Sequence, residues 1–252
     1  MATVIGERSA SLRLGTVLSR AGQAVRSAPA LFFGIGFLLA ALPAAMFQLM
    51  VLGAGEAGVA LSIAFGLGWF VLYLAAQALM MRAAVDRLDD RAEPLRALVE
   101  VAAKTALPLL ATSLLYGLAV LLGWFALLVP GVIVATMWSL ATVVVVAERA
   151  GPITAFGRSR ALTSGSRWRI FGLFLLVGIF YLLCYAVLGL VRTTVFGLSA
   201  VDTGASVGGV IFSAALNTVG LPIWCAIQAA LYVELRDAKD GPAGDRLADI
   251  FA

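Results

Sequence analysis

The chain has 252 residues, 62% of them hydrophobic and 13% charged, against about 45–50% and 25% for soluble globular domains. That balance excludes a water-soluble globular protein and points to an integral membrane protein. The +4 formal charge does not indicate a nucleic-acid partner, because the basic residues gather at the ends of apolar runs, as topology signals do. With no histidine at all, histidine-ligated metal centres, histidine-ligated haem and triads that use imidazole as base are removed as well.

Residues 1–28 carry Arg8, Arg13, Arg20 and Arg26, with apolar Leu14, Val17, Leu18, Ala21 and Val25 at helical spacing. The pattern predicts an amphipathic helix lying on the membrane surface. A secretory signal peptide is the competing reading. The long basic region and an apolar run that continues past the would-be cleavage site favour retention. Between Arg26 and Glu56 lie 29 uncharged residues, enough for a first span with Pro43 as a kink, and Ala57 to Met81 gives a second of 25. Arg82, Asp86, Arg87, Asp89, Asp90 and Arg91 then mark the return to water. Pro94 is expected to open a second amphipathic helix, with Leu95, Leu98, Val99 and Ala102 on one face and Arg96, Glu100 and Lys104 at i, i+4 spacing on another.

From Thr105 to Ala147 the chain runs 43 residues without a charge, roughly twice what one helix needs to cross a bilayer. This is a hairpin of two spans, and the Pro130-Gly131 dipeptide is where the reversal is expected, with Gly131 taking a left-handed turn. Glu148 and Arg149 follow, then Gly151-Pro152 to start a new helix carrying Arg158, Arg160, Arg167 and Arg169. Ile170 to Val191 supplies a fifth span of 22 residues, and Thr203 to Val233 a sixth of 31 that contains Pro222. Of 18 basic residues, 17 fall on one side of these spans and Arg192 alone on the other. The positive-inside rule places both termini in the cytoplasm.

The expected architecture is thus an all-α, polytopic membrane bundle of six transmembrane helices, arranged as three hairpins with cytoplasmic amphipathic surface helices. The hairpin units run roughly 10–88, 92–149 and 152–240, a pattern that fits a threefold internal repeat. Three ordinary hairpins sharing a membrane grammar produce the same pattern.

Glu148 is the leading candidate for a functional carboxylate, with Glu234 and Arg236 in the equivalent place after the sixth span. These carboxylates either pair with arginines and pin surface helices to the bundle or form a rim that binds an anionic headgroup, an ion or a partner. Arg158, Arg160, Arg167 and Arg169 have the charge to hold anionic lipid at about 1 kcal/mol each, although topology alone also accounts for them. Trp124, Trp138, Trp168 and Tyr116 read as interface anchors or core packing. Gln77, Asn217 and Gln228 lie within spans, where interhelical hydrogen bonds are the usual use; a transport route would require them to converge. No span carries a charge near its middle. Cys184 and Cys225 sit inside apolar runs and read as buried small hydrophobes. No phosphate-binding glycine loop, nucleophile elbow or histidine metal motif is present, so no cofactor or metal is expected. The Thr163-Ser164-Gly165-Ser166 run reads as the end of a surface helix.

Several of these residues together resemble the membrane domain found ahead of some bacterial glycerophosphodiester phosphodiesterases, and its stand-alone six-span relatives of unknown function. The resemblance rests on Pro130-Gly131 before the fourth span, on Glu148, Ala155, Arg158-Ser159, Leu162, Gly165 and Trp168, and on Leu231-Tyr232, Glu234 and Leu235-Arg236 near the end. It covers most of the chain from Leu95 onward. Those relatives often carry Asp where Glu234 stands, which keeps the charge. The phosphodiesterase domain and its histidines have no counterpart here, so the resemblance implies a fold and a bacterial inner-membrane location, without an activity. The resulting expectation is a non-enzymatic accessory or interaction subunit that engages membrane lipids, a protein partner or a second copy of itself. The alternative is a small transporter or channel with a route between hairpins.

Overall fold

In the computed structural model, residues 13–53, 59–91, 93–126, 128–196 and 207–241 are described. Arg8, residues 197–206 and residues from 242 onward lie outside them. Among the described residues all regular structure is helical. Six helical stretches are long and apolar enough to cross a membrane: Pro29–Val51, Leu61–Leu88, Leu95–Phe125, Val129–Glu148, Arg167–Val187 and Gly208–Asp240. The chain is an all-α membrane bundle, as its composition requires.

The first helix, α1 (Leu14–Ser27), is amphipathic, with Val17, Ala21 and Ala24 buried. It does not simply lie on the lipid. Its small-residue stripe packs against the last helix, α10 (Val207–Asp240), and against α4 (Val59–Leu88). The reason is steric: alanines at positions 21 and 24 let two backbones approach closely, as small residues do between membrane helices.

The first span is α2 (Pro29–Ile35), a π-helical turn (Gly36–Ala41) and α3 (Leu42–Gly53). Here the distortion comes ahead of Pro43 as a widened turn. At its start, a Cβ on Gly36 would lie 3.1 Å from both the Pro222 ring and the Thr218 carbonyl. Pro222 has no N–H to give that carbonyl, which lies four residues before it, so the imperfections of two spans meet at one glycine. Trp69 Nε1 donates to the Ala40 carbonyl within the widened turn at 3.3 Å.

After α4 the chain turns through Asp89 and Asp90, the latter with φ of 55°. The expected second surface helix is not a separate element: residues 95–104 are the opening turns of α5 (Leu95–Ala126), continuous with the third span. Nothing between Lys104 and Thr105 breaks a helix, and Pro108 is carried within it. The Glu100–Lys104 pair forms, at 2.5 Å, on the exposed face.

The reversal of the central hairpin also comes earlier than Pro130-Gly131. Both residues are inside α6 (Leu128–Met137), Pro130 in the first turn, where its missing N–H costs nothing. Among the described residues the glycines with positive φ are Gly165 and Gly241; Gly131 is helical. Its role is close approach, since a Cβ on Gly123 would sit 2.8 Å from the Gly131 Cα.

The fourth apolar run is interrupted at residues 138–140, between α6 and α7 (Ala141–Glu148). Arg149, at φ 53°, ends α7, and α8 (Pro152–Thr163) turns back to pack on it. Two polar side chains of α8 repair the interruption. Ser159 Oγ donates to the Met137 carbonyl at 2.9 Å and accepts from the Leu140 N–H at 3.2 Å. Thr163 Oγ1 donates to the same Met137 carbonyl at 3.1 Å. Broken backbone within an apolar run needs such partners, because lipid supplies none. Thr163 ends α8, as the sequence predicts, and its hydroxyl is shared between the Met137 carbonyl and the Ser159 carbonyl of its own helix at 2.9 Å.

The fifth span, α9 (Arg167–Phe196), packs on α6 and reaches α10 through aromatic contacts, Phe174 on Trp224 at 5.3 Å and Tyr181 over Gly220. At the centre stands α10, which packs against α1, the π turn, α3 and α4, and touches α2, α7 and α8.

Candidate functional site

The charged ends of α1, α4, α7, α8 and α10 meet in one network of ion pairs. Glu148, the last residue of α7, uses a single oxygen, Oε1, to accept from the Tyr232 hydroxyl at 2.9 Å and from Arg158 Nε at 3.1 Å. Arg158 continues to Asp240, with Nη1 donating to Oδ1 at 3.3 Å and Nη2 paired with Oδ2. Hydrogen bonding to Asp240, then to Glu148, holds the Arg158 guanidinium above its ordinary pKa against the opposing effect of desolvation. Its charge is thereby fixed.

A second cluster lies along α10. Arg236 makes a two-pronged pair with Asp89, Nη2 to Oδ1 at 2.6 Å and Nη1 to Oδ2 at 3.0 Å. Both side chains are only 8% exposed. This is the fork geometry in which an Arg–carboxylate pair is strongest. The same guanidinium bonds Asp237 and stacks 5.6 Å above the Tyr232 ring. Arg20 of α1 pairs with Glu234 at 3.2 Å and Asp237 at 3.6 Å. The Glu234 Oε2 in that contact is buried without an aligned hydrogen bond, so we read the contact as coulombic attraction.

Two further ties complete the network. Arg82 of α4 pairs with Asp86 at 2.9 Å and donates to the Ala147 carbonyl at 3.3 Å. Lys239 donates to the Ser164 carbonyl at 3.1 Å, to its hydroxyl at 2.6 Å and to the Ala161 carbonyl. Every tie except Arg82–Asp86, Arg236–Asp237 and Arg236–Tyr232 joins different elements, so the network clasps surface helices to spans.

Of the residues singled out in the sequence, Glu148 with Arg158 and Glu234 with Arg236 are drawn into this clasp. The other three arginines are not part of its described contacts: Arg160 and Arg169 are exposed, and Arg167 lines a groove between α6 and α9. Sequence reading missed Asp89, Asp240, Tyr232, Arg20 and Lys239 as partners. One signal was available, since Glu234, Arg236, Asp237, Lys239 and Asp240 are spread round one helix, which forces some of them against neighbours.

No described hydrogen bond joins the intramembrane polar groups Gln77, Asn217 and Gln228 to one another. Gln228 accepts from Thr142 at 3.4 Å, Asn217 donates to the Ser213 carbonyl of its own helix at 2.9 Å, and Gln77 is buried. Asn217 lines a cavity of about 170 Å³ with Tyr73, Tyr181, Tyr185 and Trp224. Cys225 is buried and Cys184 half-buried, both free. Among the described residues no group of three or more Cys, Asp or Glu side chains is arranged to hold a metal ion.

Chemically, the clasp consumes its own charges, acid against base, while the Arg160 side chain on α8 is exposed. In comparisons with known proteins, no family model, curated protein or solved structure matches this chain.

Proposed function

We propose that the protein is a non-enzymatic accessory or interaction subunit of the bacterial inner membrane, with both termini cytoplasmic, and that it engages anionic lipid or a partner through its basic rim. The observation that carries this reading is the division among the rim arginines. Arg158 and Arg236 are paired inside the bundle, whereas Arg160 is exposed and Trp168, at the start of α9, is 84% exposed. Exposed guanidinium groups near a lipid surface gain about 1 kcal/mol each, and tryptophan favours the headgroup level. The orientation follows from the one-sided distribution of basic residues, and the membrane assignment to bacteria from the resemblance described above. Native mass spectrometry of the protein released from nanodiscs tests the reading. Wild type is expected to carry anionic lipid or a stoichiometric protein, and the Arg160→Gln/Arg169→Gln variant to carry less. Unchanged recovery of both in a folded variant overturns it.

A second reading, a small transporter, draws on the tyrosine-lined cavity around Asn217. It requires flux in proteoliposomes that disappears with Asn217→Leu.

A further inference from the structure

A groove of about 230 Å³ runs between α6 and α9, lined by Val132, Ile133, Thr136, Arg167, Trp168 and Phe171. Apart from Arg167 its wall offers little polarity, since the Thr136 hydroxyl is spent on the Val132 and Ile133 carbonyls at 2.9 and 3.0 Å. Arg167 Nε is buried and has no hydrogen-bond partner among the described residues. A charged N–H kept from water without an acceptor is costly. The carboxylates Asp86, Asp89, Glu148, Glu234 and Asp240 are engaged by Arg82, Arg236, Arg158 and Arg20. Among the described residues none of these carboxylates is left over for Arg167, so an acceptor from outside the clasp fits.

We propose that this groove holds one anionic phospholipid, a phosphate oxygen accepting from Arg167 and an acyl chain lying over Val132, Ile133 and Phe171. The proposal deepens the reading of a lipid-engaging basic rim and rests on it. Charge selects the headgroup, because a guanidinium matches phosphate in both sign and hydrogen-bond geometry. The apolar wall selects a lipid over a soluble phosphate: Val132, Ile133 and Phe171 belong to candidate spans, where a ligand without a hydrocarbon chain leaves the wall unfilled.

The test uses the full chain in nanodiscs of phosphatidylcholine with a minor fraction of phosphatidylglycerol, released in a native mass spectrometer, with retained phosphatidylglycerol counted. Wild type is expected to retain one molecule. Arg167→Gln should lower retention about tenfold, the scale of one lost charged hydrogen bond, and Leu121→Ala, at an exposed position away from the groove, should leave it within about twofold. Ile133→Trp, which fills the groove and keeps Arg167, should lower it as well, and decides the matter if Arg167→Gln does not fold. A second readout is quenching by phosphatidylglycerol with brominated chains, which should fall when Trp168→Phe removes the groove's own fluorophore. Retention unchanged by both Arg167→Gln and Ile133→Trp overturns the groove, as does retention of phosphatidylcholine to the same extent. In either case the rim reading survives if Arg160→Gln/Arg169→Gln lowers anionic-lipid retention. Wild type that retains no phosphatidylglycerol ends the proposal and the lipid arm of the rim reading together.

Discussion

At the charged end of the bundle, Val17, Met80, Met81, Val143 to Val146 and Ala229 to Leu231 are sealed from solvent. At the opposite end Leu61, Leu67, Leu118, Leu121, Leu182 and Ile211 are all exposed, although Leu61 and Leu67 share α4 with Met80 and Met81, and Ile211 shares α10 with Ala229 to Leu231. The difference follows from the two solvents. Facing lipid, an apolar side chain gains nothing by turning inward, and helices associate through close backbone approach, as Gly123 does against Gly131. Facing water, apolar surface must be buried and polar groups satisfied. One end of the molecule is thus built like a soluble core tied by ion pairs, and the other like a set of loosely apposed membrane helices.

The largest effect should come from breaking the clasp at its most buried pair. Arg236→Met leaves Asp89 as an unpaired buried charge, and thermal unfolding in detergent, followed by circular dichroism, should show a loss of about 3–5 kcal/mol. Adding Asp89→Leu should recover much of it, because removing both charges together is often nearly neutral. A double variant no better than the single one would mean that Asp89 is not the partner that matters.

The contrast between the ends is sharpened by one pair of truncations. Met80→Ala at the sealed end should cost about 2–5 kcal/mol by opening a cavity, and Leu121→Ala at the exposed end less than about 0.5 kcal/mol. Equal costs in the same unfolding assay would erase the distinction drawn here.

Smaller effects follow at the joints. Ser159→Ala strips the Leu140 N–H of its acceptor and the Met137 carbonyl of one of its two donors, and should cost about 1–3 kcal/mol; limited proteolysis between α6 and α7 should rise with it. Arg20→Ala removes a half-exposed pair and should cost no more than about 1 kcal/mol. That loss should shrink further as salt is raised, which an unfolding series at increasing ionic strength reads directly.

How much of this was legible beforehand depends on which interactions are local. Spans and the one-sided basic residues follow from composition along the chain, so the bundle could be read from Thr105–Ala147 and its counterparts. The hairpin reversal was misplaced because Pro130-Gly131 carries two signals, a helix start and a close contact, that look the same as a turn until the partner Gly123 is known. The second surface helix was split from its span because a change from charged to apolar composition was read as a boundary, when helical hydrogen bonding continues across it. The α6–α7 interruption had no local signature at all: Trp138-Ser139-Leu140 is ordinary sequence, and its stability depends on Ser159 and Thr163. For the site, Glu148, Arg158, Glu234 and Arg236 were found by their place at span ends, while Asp89 and Tyr232 required the tertiary fold. Several residues that carried the family resemblance, Glu148, Arg158-Ser159, Tyr232 and Arg236, turn out to be the clasp and the repair of the broken run.

The interruption at residues 138–140 also imposes an order on biosynthesis. Ser159 lies 22 residues after the Met137 carbonyl it serves, and Thr163 lies 26 after it. At about 5–20 residues per second, the fourth run must wait about one to five seconds for the groups that complete its backbone. During that interval α6 and α7 cannot rest in hydrocarbon in their final form without leaving backbone groups unmet. The central hairpin therefore reaches its final form only after α8 has been made and folds back on it.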